Sequence, residues 1–177
     1  MGHAQTVGSA TGPGMNQFTL AEPAHPPSSN APVMWALSAA VGWVIPVIAQ
    51  LVWWGVQPRP LWPHFVAAAV TAALMVAHIG VVPVWRYRVH RWEISPQAVF
   101  TRTGWFVQER RIAPISRVQT VDTFRGPMDR LFGLANVTVT TASSAGAVQI
   151  EALDNDVADR VVAQLTDIAA LRGEDAT

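Results

Sequence analysis

The chain has 177 residues, with twelve arginines balanced by twelve acidic residues and neither lysine nor cysteine. The absence of cysteine excludes disulfides, thiolate metal sites and cysteine nucleophiles. Balanced charge without a recognition-helix or RNA-stacking motif argues against nucleic acid as a partner. The length accommodates a tail, a helical pair and one domain of roughly 90 residues, with no room for a second globular core.

Residues 1–31 are rich in Gly, Ala, Ser, Pro and Thr without apolar periodicity, and are expected to form a disordered tail. Two apolar runs follow, Val33 to Val56 and Leu61 to Trp85, of 24 and 25 residues and free of Asp, Glu, Lys and Arg. At 1.5 Å per residue each exceeds the roughly 30 Å hydrocarbon layer of a bilayer. Trp53, Trp54, Trp62 and Trp85 stand at their outer ends, where the interface favours tryptophan. A cleaved leader fits poorly, because the first 30 residues hold no Lys or Arg. Pro46 is expected to remove one hydrogen bond from the first helix, and Pro83 to mark the end of the second. His64, near a helix end, suits the headgroup layer; His78, deeper, suits contact with the other helix or with a partner.

The connection Gln57-Pro58-Arg59-Pro60 is too short to pass around a domain, so the spans are read as an antiparallel hairpin across 32–85. Arg86, Arg88 and Arg91 follow the second span, against a lone Arg59 in the loop. The positive-inside bias then places both termini in the cytoplasm, as for a multi-pass protein of a bacterial inner membrane. Net charge conceals a dipole: nine arginines against four acids between Arg86 and Arg130, and two against seven between Glu151 and Thr177. The positive stretch is the one nearer the bilayer in sequence.

Beyond the hairpin, residues 86–172 alternate as strands do. Expected strands are Tyr87 to Ile94, Ala98 to Thr103, Trp105 to Ile112, Ser116 to Thr123, Asn136 to Thr141 and a segment at Val148 to Ile150, most joined by short turns. One or two helical turns fit Asp129 to Gly133. A final helix begins near Asp156, with Val157, Val161, Leu165 and Ile168 as its apolar stripe. These elements imply a strongly bent antiparallel sheet or partly open β-barrel capped by a C-terminal α-helix, with residues 173–177 as a flexible tail.

Trp85 to Arg88, Glu109 to Asp122 with its RVQTVD stretch, and Gly126 to Thr141, GPMDRLFGLANVTVTT, occur in this order after a membrane hairpin. Over roughly residues 33–171 the chain resembles the bacterial membrane-anchored pleckstrin-homology-like family, of the YdbS-like type. The resemblance implies two N-terminal spans, a cytoplasmic PH-like barrel, and a scaffold rather than an enzyme. Structural roles can be read into the motif. Ile115, Val118 and Val121 serve as anchors, Asp122 and Asp129 as partners for Arg117, Arg125 or Arg130, and Leu131, Phe132 and Leu134 as core plugs.

The leading expectation is a non-enzymatic inner-membrane adaptor that binds another membrane or peripheral protein, or itself as a homo-oligomer, with a link to envelope homeostasis. The alternative is a module resting on an anionic lipid surface. No cofactor is implied, and His3, His25, His64, His78 and His90 form no zinc pattern. Candidate lipid or partner contacts are Arg86, Arg88, Arg91, Arg110, Arg111, Arg117, Arg130 and Trp105. Arg117 and Arg130 fit either an ion-paired corner or a phosphate or partner contact; Trp92, Trp105 and Phe106 fit either the core or an aromatic binding patch.

Overall fold

A computed structural model describes residues 23–104, 107–142 and 146–174. The first apolar run forms one helix, α1 (Ala31–Val56), with Pro32 in its first turn and Pro46 accommodated within it. The second forms α2 (Trp62–Val76), a π-turn (Ala77–Val81) and α3 (Val82–Val89). This helix therefore continues past Pro83, and the strand expected from Tyr87 begins only at Arg91. Pro83 leaves a π-turn behind it, where the missing N–H breaks the α pattern. Only Ala31 and Met34 of α1 are buried, and no residue of α2. The flanks of both helices are apolar and uncovered, as lipid as solvent requires.

Six strands follow: β1 (Arg91–Ile94), β2 (Ala98–Thr103), β3 (Glu109–Pro114), β4 (Val118–Phe124), β5 (Leu134–Thr141) and β6 (Val148–Asp154). A helical turn, α4 (Pro127–Phe132), separates β4 from β5, and α5 (Asn155–Glu174) closes the chain. The strands form two three-stranded antiparallel sheets, β1-β2-β3 and β4-β5-β6. No ladder joins them among the described residues, so the expected barrel or single bent sheet is corrected to two sheets packed around one core. β6 comes nearest to β2 and β3. There a cleft of about 340 Å³ lined by Thr101, Thr103, Glu109, Arg111 and Gln149 takes the place of the ladder that would close a barrel. Glu109 and Gln149 in that seam are exposed and polar, so closing it would cost their solvation.

Alternation along β5 buries Val137, Val139 and Thr141, as the sequence indicates. Ile150, Leu153, Val99 and Ile115 complete the core with α5, which contributes Ala158, Val161 and Leu165 while Val157 and Ile168 pack at its margin. Burial of such side chains is worth about 1.5–3 kcal/mol each and holds both sheets to the helix.

A second cluster joins the membrane helix to the domain. Ala31, Met34, Leu134 and Ala152 are buried together, with Trp35, Met128 and Phe132 against them. Leu131, expected as a core plug, is 69% exposed, because Met128 and Phe132 occupy the inward side of the short α4. Part of the segment expected as tail also docks here: His25 pairs through its backbone with Trp92, and the Ser28 N–H donates to the Ala152 carbonyl at 2.8 Å.

Candidate functional site

The C-terminus of α3 leaves carbonyls without helical donors, and arginines from two strands reach them. Arg91 donates to the carbonyls of Tyr87 and His90 at 3.0 and 2.8 Å, and Arg102 on β2 donates to that of Val89 at 3.0 Å. The His90 ring Nδ1 lies 2.9 Å from the Arg86 carbonyl, which also accepts from the His90 backbone N–H at 2.9 Å. The second span is thus fastened at its base.

At that base stands a four-residue cluster. The Arg86 guanidinium pairs with the Glu151 carboxylate on β6 and lies over the Trp35 ring, 4.3 Å from its centroid. His90, buried, packs its ring 5.5 Å from that of Trp35 and places Nε2 3.5 Å from Glu151 Oε2 and 3.4 Å from Arg86 Nε. Residues of α1, α3 and β6 therefore meet at one point. The hydrogen bond from His90 holds the Glu151 carboxyl below the usual carboxylate range; burial works against this, while the Arg86 and His90 charges add to it.

The GPMDRLFGLAN stretch forms a second fastening. Asp129 is buried and, among the described residues, pairs with no arginine, contrary to expectation. Its Oδ2 accepts from the Gly126 N–H at 2.9 Å and from Asn136 Nδ2 at 3.0 Å. Asn136 Oδ1 in turn accepts the Ala152 N–H at 2.8 Å. Ala152 has φ 54°, left-handed, beside the register shift between β5 and β6, which turns its carbonyl toward Ser28. Ser28 Oγ donates to Asp154 at 2.6 Å and accepts the Asn30 N–H at 3.2 Å, one residue before α1 begins. The motif therefore couples the sheet to the start of the first membrane helix. Asp122 also pairs with no arginine; it accepts from Thr120 Oγ1 at 3.0 Å. Arg125 pairs instead with Asp159 on α5, at 3.0 Å.

Above the outer face of β4-β5-β6, the bases of α1 and α3 bound a groove of about 520 Å³ lined by Trp35, Arg86, Phe124, Thr138, Gln149 and Glu151. Phe124 is 66% exposed and supplies an apolar wall opposite polar ones. About 20 residues counted back along α1 from Val56 would fill the hydrocarbon layer, which sets this groove at the height of the bilayer interface.

The sequence-nominated arginines do not form one basic patch. Arg86 and Arg91 lie at the junction and are engaged there. Arg111 on β3 pairs with Glu109 at 2.7 Å and donates to the Ala147 carbonyl at 2.9 Å, at the seam between the sheets. Arg110, its neighbour, is exposed and cross-strand from Arg102. Arg88, Arg117 and Arg130 are exposed on α3, the turn before β4, and α4. Trp105 and Phe106 lie outside the described residues, and Trp92 packs against the core. Sequence reasoning overlooked Trp35, His90, Asn136 and Glu151. Glu151 carried one usable signal, an acid flanked by Ile150 and Ala152 inside a strand.

Between the membrane helices, Trp43 Nε1 donates to His78 Nδ1 at 3.1 Å, and Gln50 Nε2 donates to the Thr71 hydroxyl and to the Ala67 carbonyl, the latter at 3.3 Å. At the loop end His64 packs against Trp53, ring centroids 4.2 Å apart. Among the described residues no three His, Asp or Glu side chains gather as metal ligands would.

Two spanning helices rooted in a small two-sheet domain with a C-terminal helix define a membrane-anchored PH-like protein. The Bacterial PH domain family profile matches residues 31–169, and the chain belongs to that family. It is 31% identical over 117 residues to the UPF0699 transmembrane protein YdbS of Bacillus subtilis (strain 168), which covers 64% of this chain and 72% of that protein. No solved structure matches the chain. The chain is a membrane protein with at least two spanning helices.

Proposed function

We propose that this protein is a non-enzymatic adaptor of the bacterial inner membrane, with both termini cytoplasmic, that binds another membrane or peripheral protein and serves envelope homeostasis. The observation that supports it is the interfacial groove. It joins an apolar wall, Phe124 and Trp35, to hydrogen-bonding groups, Thr138 and Gln149, and is anchored at a set height by the Arg86–Glu151 pair. Such a surface suits the juxtamembrane segment of a neighbouring membrane protein, whose confinement to the bilayer raises its effective concentration. The anionic-lipid reading draws support from Arg88, Arg117 and Arg130. It is weakened by the engagement of Arg86, Arg91, Arg111 and Arg125 within the chain, which reduces the charge left for phosphates.

The test replaces Phe124 with a photo-crosslinking residue in the full chain and irradiates intact cells. A discrete protein adduct, lost when Gln149→Arg fills the groove, is the expected result. Adducts to lipid alone would reverse the order of the two readings.

A further inference from the structure

We infer that the membrane hairpin pairs with a second copy of this chain through the π-turn around His78. The inference is independent of the adaptor reading, since it concerns the spans and not the groove.

His78 lies eight residues from Arg86, about 12 Å along the helix and inside the hydrocarbon layer. Its Nδ1 accepts the Trp43 indole N–H at 3.1 Å, so the neutral ring carries its proton on Nε2. The side chain is exposed on the hairpin, and Nε2–H meets no acceptor among the described residues. In water that would be unremarkable; in hydrocarbon a donor without an acceptor is expensive.

An acceptor without a donor lies in the same turn. The Val82 N–H bonds to the Ala77 carbonyl, five residues back. The His78 carbonyl then has neither of its two possible helical donors: Val82 is engaged, and Pro83 has no N–H. Leu74, one turn back on the His78 side of the helix, is 54% exposed, so another helix can approach that side.

Donor and acceptor belong to one residue, hence lie within about one helical turn of the same depth. A two-fold axis along the membrane normal brings equal depths face to face. The Nε2–H of each copy then meets the His78 carbonyl of the other, and both deficits are met twice over in a self-complementary contact. A different helix would need its own acceptor and donor at this depth; a second copy has them by construction.

The test reconstitutes the full chain in phosphatidylcholine–phosphatidylglycerol vesicles at falling protein-to-lipid ratios and counts photobleaching steps from a dye. The native chain has no cysteine, so Ala163→Cys on the exposed side of α5 gives a single label. Two-step bleaching is expected. His78→Phe, which removes two symmetric intramembrane hydrogen bonds, is expected to raise the dissociation constant about tenfold or more. Leu74→Trp leaves every bond within one copy intact and blocks the approach, so it should act likewise even if His78→Phe disturbs the hairpin. An unchanged tryptic pattern confirms folding of each variant. Single-step bleaching of the unsubstituted chain at every ratio overturns the inference, whether or not a different protein is captured in native membranes. So does undiminished pairing of Leu74→Trp.

Discussion

Replacing Glu151 by Gln tests the junction most directly. The variant keeps the shape but removes the negative charge that Arg86 and His90 share. Side-chain exposure is 33% for Arg86, 28% for Glu151 and 7% for His90, so the cluster lies between a surface pair and a buried one. Surface pairs contribute about 0–1 kcal/mol and breaking fully buried ones costs about 3–5 kcal/mol. An intermediate loss of about 1–2 kcal/mol at neutral pH follows. Because the Glu151 carboxyl titrates lower when folded than when unfolded, its contribution is present in full above pH about 4.5 and is lost as pH falls through the lower folded value. The unfolding free energies of Glu151→Gln and the unsubstituted chain should therefore separate at neutral pH and converge in acid. Urea-gradient pulse proteolysis of the full chain in detergent, repeated across pH, measures this. Equal stabilities at pH 7, or a gap that persists undiminished well below pH 4, would refute the reasoning.

Asn136→Ala strands the Ala152 N–H and one partner of Asp129, and should cost about 1–3 kcal/mol while hastening proteolysis between residues 23 and 30, where Ser28 docks. Gly133→Ala meets only Asn155 Nδ2, at 4.0 Å, so its effect is backbone strain at φ 68°, about 1 kcal/mol in the same assay. Leu134→Ala should cost about 2–5 kcal/mol and Leu131→Ala less than about 0.5 kcal/mol, whereas two core plugs would both show the larger cost. Gln50→Leu should weaken packing of the hairpin by about 0.6–1.7 kcal/mol, read as easier separation of its two helices in steric-trap unfolding within bilayers.

The spans, α5 and the inward face of β5 were legible because each rests on a period: length without charge, a 3.6-residue stripe, or strict alternation. The end of the second helix was not, since Tyr87 to Ile94 alternates in sequence yet Tyr87 to Val89 remain helical. There, Arg86, Arg91 and Arg102 fix the helix end through contacts that no local pattern encodes. Failure to close the barrel was equally hidden. It depends on Thr101, Thr103, Glu109, Arg111 and Gln149, from strands far apart in sequence, meeting across one seam. The candidate site was legible by half: the sequence pointed to Arg86 and to the motif around Asp129, but not to Trp35, His90 and Glu151, which join them only in three dimensions.

That difference changes what the arginine surplus means. By sequence, seven of the nine arginines between Arg86 and Arg130 are candidates for contact with lipid or a partner. In the structure several serve the protein itself: Arg91 and Arg102 satisfy the end of α3, Arg86 ties it to β6, and Arg125 ties the motif corner to α5. A domain held to its hairpin at several points, among them Ser28 with Ala152, Arg86 with Glu151 and Arg102 with Val89, cannot swing freely on a linker. Any force on the spans is transmitted to β6, which carries Glu151, Ala152 and Asp154 within four residues. A partner that draws the bases of α1 and α3 apart would therefore strain β6 at both fastenings. β6 thus receives a fastening from each membrane helix, while Arg102 on β2 and the Met34–Leu134 contact with β5 carry the remaining paths between bilayer and domain.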